Sequence, residues 1–140
     1  MAYFPDGMPL PQPADRDELP FFEACKRKEL VIQRCQDCGQ FRHPPVPVCA
    51  SCGSFKTEWV AVPGTGTVFS YTVAHHPVHP ALRNAVPYNV AYILLDGAGD
   101  VRLVSNVMDA KPDEMRVGLR VRLEWDATSD GSFLPRFLKA

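Results

Sequence analysis

The chain lacks the long apolar runs of a membrane protein and the basic excess of a nucleic-acid-binding domain. No apolar stretch approaches the length needed to span a bilayer. Lys and Arg total 15 against 16 Asp and Glu, so the formal net charge is -1, whereas nucleic-acid-binding domains usually carry more bases than acids. The N-terminal segment also lacks the apolar core of a secretory signal peptide. We therefore expect a globular cytoplasmic protein with reduced thiols.

Cysteine is scarce, and four of its five copies lie in one stretch, CQDCGQFRHPPVPVCASCG, at residues 35–53. This stretch contains two Cys-x-x-Cys-Gly motifs. In each motif the two thiolates can bind one face of a metal ion, while the glycine permits a positive-φ turn behind the second thiolate. Residues 41–48 form a proline-stiffened, extended spacer. The pattern predicts a structural zinc ribbon, one ion per chain, with four ligands: Cys35, Cys38, Cys49 and Cys52.

Disulfides or redox-active pairs are the alternatives for these cysteines. Disulfide frameworks are typical of small secreted domains, and the fifth cysteine, Cys25, makes the count odd. Redox-active pairs of the thioredoxin type follow a βαβ pattern, which is missing here. Four thiolates leave no coordination position for water, so we predict no catalytic residue at this metal. A four-sulfur site also suits iron. Arg34 and Arg42 are placed to offset its negative charge.

The N-terminal half predicts an arm, a short helix and the ribbon. Residues 1–19 are rich in proline and should lie extended, ordered only where they dock. Pro20 suits the first turn of a helix that continues to Lys28, and Cys25 on it is expected to be a small buried residue. Strands at residues 30–34 and 57–62 flank the metal motifs. We place the domains at residues 1–19, 20–65 and 66–140, because Pro63-Gly-Thr-Gly66 is a clear break.

The C-terminal half consists of strands and turns. Five segments are rich in β-branched and aromatic residues or alternate apolar with polar residues. They are residues 67–75, 88–96, 101–107, 119–125 and 133–138. Five antiparallel strands with one buried face avoid exposed edges by closing, which favours an OB-fold barrel over a sandwich. The fold class is therefore mainly β, with a short helix and a rubredoxin-like ribbon before the barrel.

Several motifs occur together and in order over residues 19–140. They are PFFEA, VIQRC, CQDCG, CASCG, GTGTVFSYTV, PYNVAYILLD and VGLRVRLEW. In this combination the chain resembles a family of zinc-ribbon plus OB-fold proteins associated with acyl-CoA metabolism. The resemblance implies a helix and ribbon over residues 20–62 and a barrel over residues 66–140.

The same resemblance implies a non-catalytic role. Members of the family are similar to accessory subunits that pair with thiolase-fold enzymes, including acyltransferases and side-chain aldolases that act on CoA thioesters. A hot-dog-fold hydratase sometimes accompanies them. The partner then supplies the catalytic residues, while the accessory chain stabilises the complex and helps to form its CoA-thioester channel.

A histidine-containing loop joins the first two predicted barrel strands. Imidazoles bind metals, but no carboxylate or cysteine completes a second site, and a proton-transfer role lacks a group to orient the ring. The loop is either a plain solvated loop or a contact for a partner or a thioester tail, and for the second interpretation Arg83 is the best group for a CoA phosphate. The candidate contact residues are His75, His76, His79, Arg83, Asn84 and Tyr88.

Two other functions remain open from the sequence. Phe69, Tyr71, Tyr88 and Tyr92 lie on strands that carry stacking platforms in barrels that bind single-stranded nucleic acid. However, Phe69 and Tyr71 share a face with Val73 by simple alternation, as core residues also do, and no basic stripe accompanies them. The other function is an independent enzyme that uses the histidine loop.

Overall fold

The computed structural model describes residues 2–140, which form one short helix and two antiparallel sheets. The elements, in chain order, are α1 (Leu19–Lys26), β1 (Val31–Cys35), β2 (Phe41–Arg42), β3 (Thr57–Ala61), β4 (Thr65–Ala74), β5 (Tyr88–Leu95), β6 (Arg102–Ser105), β7 (Arg120–Ala127) and β8 (Phe133–Lys139). Two 3-10 turns, Pro80–Leu82 and Pro112–Glu114, precede β5 and β7. The fold class is confirmed as mainly β. No helix in the described part of the chain is long and apolar enough to cross a membrane.

Helix α1 packs its apolar side against the barrel. Its first turn contains Pro20. Proline costs little there, because the N–H groups of a first turn have no acceptor within the helix. The helix begins one residue before the predicted start, at Leu19, and buries Phe21, Ala24 and Cys25. Cys25 is 1% exposed, and burial raises the pKa of its thiol to about 11. This thiol is therefore a small core residue, as predicted from its position on the helix.

The ribbon is a three-stranded sheet in the order β2-β1-β3. Strand β1 pairs along its whole length with β3, so that Cys35 lies opposite Thr57 and Val31 lies opposite Ala61. Leu30 and Ile32 belong to the same hydrophobic core as the barrel residues. The sequence analysis missed β2, which consists of only two residues and lies inside the proline-rich spacer. Its pairing with β1 turns the spacer back and brings the second cysteine pair to the first.

The barrel is a curled five-stranded sheet in the order β6-β5-β4-β7-β8, and the five predicted strands are all present. Val107, just after β6, forms an isolated bridge with Phe137 of β8. The N–H of Met108 donates to the Phe137 carbonyl at 2.8 Å, and the N–H of Phe137 donates to the Asn106 carbonyl at 3.0 Å. These contacts join the two edge strands, which limits the unpaired sheet edge.

Strand β4 approaches β5 so closely that one position accepts only glycine. A Cβ atom on Gly66 would lie 2.6 Å from the Leu94 carbonyl oxygen and 2.8 Å from Ile93 Cγ2. The predicted break at residues 63–66 thus contains the first paired residues of the barrel. Gly66 allows β4 to pair with β5 and β7 at the same point.

The N-terminal arm docks on the barrel. The backbone N–H of Tyr3 donates to Asp126 Oδ1 at 3.0 Å, and the Phe4 ring packs edge-on against Tyr88 with centroids 5.1 Å apart. The guanidinium of Arg136 lies 5.0 Å from the centre of the Phe4 ring. Aromatic and charged contacts therefore order this segment, although residues 2–18 form no strand or helix.

Candidate metal centre and histidine loop

The four cysteines of the ribbon come together in space. The Sγ atoms of Cys35 and Cys52 are 3.6 Å apart, as are those of Cys38 and Cys49, and all four Sγ atoms lie within 4.8 Å of one another. Tetrahedral zinc with Zn–S bonds of about 2.3 Å requires sulfurs about 3.8 Å apart. The donor set and its spacing therefore fit a four-thiolate metal ion. Among residues 2–140 this is the one cluster of such ligands.

The two cysteine pairs are built on the same local turn. The N–H of Gly39 donates to the Cys35 carbonyl at 2.9 Å, and the N–H of Gly53 donates to the Cys49 carbonyl at 2.9 Å. Gly39 and Gly53 have φ angles of 78° and 74°, which side chains other than glycine rarely adopt. The repeated Cys-x-x-Cys-Gly motif thus encodes two superimposable turns that present their thiols to a common point.

Backbone amides favour the thiolate form of the first cysteine in each turn. Hydrogen bonds from the amides of Cys38 and Asp37 lower the pKa of Cys35 to about 6. Hydrogen bonds from the amides of Cys52 and Ser51 lower the pKa of Cys49 in the same way. Because the thiolate is the metal ligand, these donors prepare both turns for an ion.

Polar side chains outside the cysteines link the two turns. Ser54, after the second pair, donates through Oγ to Asp37 Oδ2 of the first turn at 2.5 Å. Ser51 Oγ donates to Gln40 Oε1 at 2.5 Å, and Cys49 Sγ lies 3.7 Å from the same oxygen. Such contacts around a metal site orient its ligands. None of these four residues was identified from the sequence, because serine, glutamine and aspartate are common in any turn.

The two arginines next to the cysteine pairs are bound elsewhere. Arg34 donates through Nε to Glu58 Oε1 at 2.7 Å, and Arg42 donates through Nε to Gln33 Oε1 at 2.6 Å. Arg34 is thus neutralised by a carboxylate, whereas Arg42 binds a neutral amide, so an offset of the thiolate charge by Arg42 stays a prediction. Their alternation along β1 and β2 directs them to neighbouring strands instead.

The histidine loop connects β4 to β5 and contains the turn Pro80–Leu82. His75, His76, Arg83 and Asn84 are exposed to solvent. His79 is half-buried, and its Nδ1 accepts a hydrogen bond from the Ala81 N–H at 3.1 Å. His79 thus caps the turn, while the other four side chains face solvent. Within residues 2–140 the three imidazoles form no ligand cluster of their own.

The barrel aromatics do not share a single face. Strand β4 has a register shift between Val68 and Ser70, which places Ser70 opposite Tyr92 and Tyr71 opposite the buried Ala91. Phe69 stacks edge-on with Tyr92, with ring centroids 6.3 Å apart. The alternation that grouped Phe69 with Tyr71 and Val73 was therefore wrong, because an extra residue in a strand reverses the faces beyond it.

Comparison with known proteins assigns both halves of the chain to one family. Residues 22–58 match the domain described as "ChsH2, rubredoxin-like zinc ribbon domain", and residues 59–126 match "ChsH2, C-terminal OB-fold domain". The chain belongs to the ChsH2 family. The resemblance noted from its motifs is thereby confirmed.

Solved structures show how closely the ChsH2 fold is kept. A chain of the complex described as "Ltp2-ChsH2(DUF35) aldolase" is 45% identical, with a TM-score of 0.82, and the match covers 91% of this chain and 98% of that one. A DUF35-family protein of unknown function from Sulfolobus solfataricus is 19% identical, with a TM-score of 0.62 over 87% of this chain and 84% of its own. This second likeness concerns the fold alone.

Two curated relatives of the ChsH2 family are considerably longer. The "Probable enoyl-CoA hydratase alpha subunit" of Thermomonospora curvata is 46% identical over 93% of this chain and 40% of its own length. The "3-oxo-4,17-pregnadiene-20-carboxyl-CoA hydratase alpha subunit" of Mycobacterium tuberculosis is 37% identical over 84% of this chain and 36% of its own length. The chain therefore spans less than half of either relative.

Proposed function

We propose that the chain is a non-catalytic accessory subunit of an acyl-CoA enzyme, in which a thiolase-fold aldolase or acyltransferase is the catalytic partner. The observation that carries this proposal is the match to the ChsH2 chain of a solved aldolase complex, which extends over 98% of that chain. The names of the longer relatives, both hydratase alpha subunits acting on CoA thioesters, support the substrate class. A hot-dog-fold hydratase is a second partner that fits these names.

The metal in this proposal is one structural zinc ion per chain, held by Cys35, Cys38, Cys49 and Cys52. Four cysteine sulfurs surround one point, so a bound zinc ion would have no position for water or substrate. The ion would supply folding free energy to the ribbon, which is small and shares its core with the barrel. Chemistry on the thioester is then the task of the partner.

The histidine loop is the proposed contact with the partner or with the CoA tail. Arg83 and Asn84 are exposed beside the turn that His79 caps, so the guanidinium can reach a phosphate without disturbing the fold. Charge-assisted hydrogen bonds between arginine and phosphate are strong and directional. Tyr88, which packs against Phe4, fixes the base of the loop at the start of β5. Together these residues would form one wall of the CoA-thioester channel.

Co-expression tests the proposal directly. The chain is produced with the Ltp2 chain of the homologous aldolase complex, and the product is analysed by size-exclusion chromatography with light scattering. We expect a stable hetero-oligomer that contains both chains. A well-behaved monomer that binds neither Ltp2 nor CoA contradicts the proposal.

Charge reversal in the loop tests the CoA contact. Arg83→Glu should weaken the affinity of the assembled complex for CoA, and Arg116→Glu, an equally exposed arginine on another turn, should leave it unchanged. Equal affinities for both variants would remove the loop from the channel while leaving the accessory role intact.

A further inference from the structure

A cluster of apolar and aromatic side chains is exposed on the outside of strands β4, β5 and β6. Phe69 is 47% exposed, Tyr92 is 38% exposed and Val104 is 64% exposed. The register places Tyr92 opposite both Ser70 and Val104, so these side chains are neighbours on one face. We call this surface the outer aromatic face, which consists of Phe69, Ser70, Thr72, Val90, Tyr92, Arg102 and Val104.

The bulge in β4 adds Ser70 and Thr72 to this face. Two residues of β4, Phe69 and Ser70, stand opposite the single residue Tyr92, because the register shifts between Val68 and Ser70. Without the extra residue, Phe69 alone would stand opposite Tyr92, Ser70 would point to the interior beside Ala91, and Tyr71 would point outward. Bulges re-aim side chains in this way and are frequent at functional surfaces.

Arg102 holds the aromatic rings in place but lacks an acceptor of its own. Its guanidinium lies 4.1 Å from the centre of the Phe69 ring and 5.9 Å from that of the Tyr92 ring. Its Nε atom is buried, and among the described residues no acceptor lies within hydrogen-bonding distance. A buried donor without a partner is costly. The geometry therefore favours an occupant that brings a carboxylate or carbonyl oxygen to the guanidinium group.

A shallow depression of about 210 Å³ lies beside Tyr92 on the same face. It is lined by Ser70, Tyr71 and Thr72 of β4, Val90, Ala91 and Tyr92 of β5, and Val104 of β6, so its wall is polar and aromatic on β4 and mainly apolar on β5 and β6. Tyrosine and arginine side chains are enriched at the energetic centres of protein interfaces, where a partner buries them. The depression is of the right size for one apolar side chain.

Charge identifies the occupant as a different protein chain. Among the seven residues that make up the outer aromatic face, Arg102 is the one cation, and the neighbouring Arg120 is already bound by Asp96 through two hydrogen bonds at 2.6 and 3.1 Å, whereas a nucleic acid requires several free cations. A second copy of this chain fits no better, since the outer aromatic face contains no acidic residue that could form an ion pair with Arg102. A face-to-face dimer would bury two unpaired guanidinium groups, which is strongly unfavourable.

We propose that the outer aromatic face is the docking surface for the catalytic partner, which inserts an apolar side chain beside Tyr92 and presents an Asp or Glu side chain to Arg102. This inference rests on the proposed function, because it takes the acyl-CoA enzyme as the occupant. The face continues along β4 and β5 toward the histidine loop, so one partner surface can contact both.

The affinity of the full chain for the Ltp2 aldolase chain, measured by calorimetry, tests the proposal. Val104→Glu and Arg102→Glu should each weaken binding by roughly thirtyfold or more, as expected for residues at the centre of an interface. Val117→Glu, at a site that is 67% exposed and outside this face, and Arg116→Glu serve as matched controls and should bind as the wild type does. Thermal unfolding of each free variant verifies the fold, and Tyr92→Ser provides a second, uncharged test.

The outcomes separate the two claims. If the wild-type chain binds no Ltp2, the proposed function fails and the docking site fails with it. If the wild type binds and the three variants bind equally well, the docking site alone is overturned. Two further measurements complete the test: sedimentation of the free chain, and its titration with a single-stranded oligonucleotide. If the wild type self-associates or binds the oligonucleotide, and Val104→Glu abolishes that binding, the face belongs to another occupant and the inference is overturned.

Discussion

Asp126 Oδ2 accepts a hydrogen bond from Arg136 Nε at 2.6 Å, and the two side chains are 4% and 13% exposed. Arg136 also donates to Asn106, and its guanidinium lies against the Phe4 ring. The other oxygen of Asp126 accepts the Tyr3 N–H. This buried ion pair therefore connects β7, β8 and the end of β6 to the N-terminal arm.

Removing the carboxylate of Asp126 should destabilise the fold strongly. Asp126→Ala leaves Arg136 buried without its counter-charge, which costs about 3 kcal/mol or more in comparable sites. Urea unfolding at neutral pH measures the loss. Glu124→Ala is the control, since Glu124 lies 3.8 Å from Arg122 in an exposed pair, and such pairs contribute about 0.5 kcal/mol. If both variants lose the same free energy of unfolding, the buried pair contributes no more to stability than the exposed pair does.

Metal content should depend on the four ribbon cysteines only. Elemental analysis of the purified chain is expected to give one zinc ion per chain, and Cys38→Ser should lose most of it together with the protection of strands β1 to β3 from hydrogen exchange. Structural zinc supplies folding free energy outright, so a chelator should have the same effect. Cys25→Ala should keep its metal, because Cys25 lies in the core away from the ligand cluster. A fully metallated Cys38→Ser variant would refute the assignment.

Asn89 is expected to be the most sensitive polar residue inside the barrel. Its side chain donates to the Val107 carbonyl and accepts the Val107 N–H, both at 2.8 Å. Asn89→Leu leaves the buried Val107 N–H unpaired, at a cost of about 1–3 kcal/mol, and leaves the Val107 carbonyl with only the Ala110 N–H at 3.4 Å. Chemical unfolding should show this loss, whereas Asn84→Leu, on the exposed loop, should change stability little. A stable Asn89→Leu variant would mean that the closure of the barrel does not need this amide.

Asp96 should give the chain an acid-sensitive contribution to stability. Hydrogen bonds from Arg120, and then from Thr65, lower the pKa of Asp96 from 3.8 to about 2. Because the folded pKa is depressed, the contribution is present above about pH 4 and is lost as the pH falls from about 4 to about 2. The side chain is 41% exposed, so solvent screening limits the effect to less than about 1 kcal/mol.

The comparison of variants isolates this contribution. Asp96→Asn should flatten the dependence of the urea midpoint on pH within that window, and Arg120→Gln should do so in part. If both variants show the same dependence of the urea midpoint on pH as the wild type, the Asp96–Arg120 pair is not the source of that dependence.

Much of the fold is encoded in local signals. The paired Cys-x-x-Cys-Gly motifs specify two turns because glycine alone readily adopts φ angles near those of Gly39 and Gly53. Alternation specifies most of the long strands, including β7, where the buried Val121 lies between the exposed Arg120 and Arg122. Such patterns depend only on neighbouring residues, so they can be recognised without the tertiary structure.

The parts that could not be predicted depend on long-range contacts. Strand β2 contains two residues and exists because β1 offers it an edge. The bulge at Phe69 is invisible to alternation, since only pairing with β5 reveals the extra residue. The role of Arg102 was missed for the same reason: its contact with Phe69 joins β6 to β4 across the intervening strand.

The most direct test of the accessory role compares acyl-CoA turnover by three preparations: this chain alone, Ltp2 alone and the co-expressed complex. We predict cleavage of the thioester substrate by the complex and none by the isolated chain. Turnover by the isolated chain that disappears when His75, His76 and His79 are all changed to alanine would contradict the account and identify the histidine loop as a catalytic site.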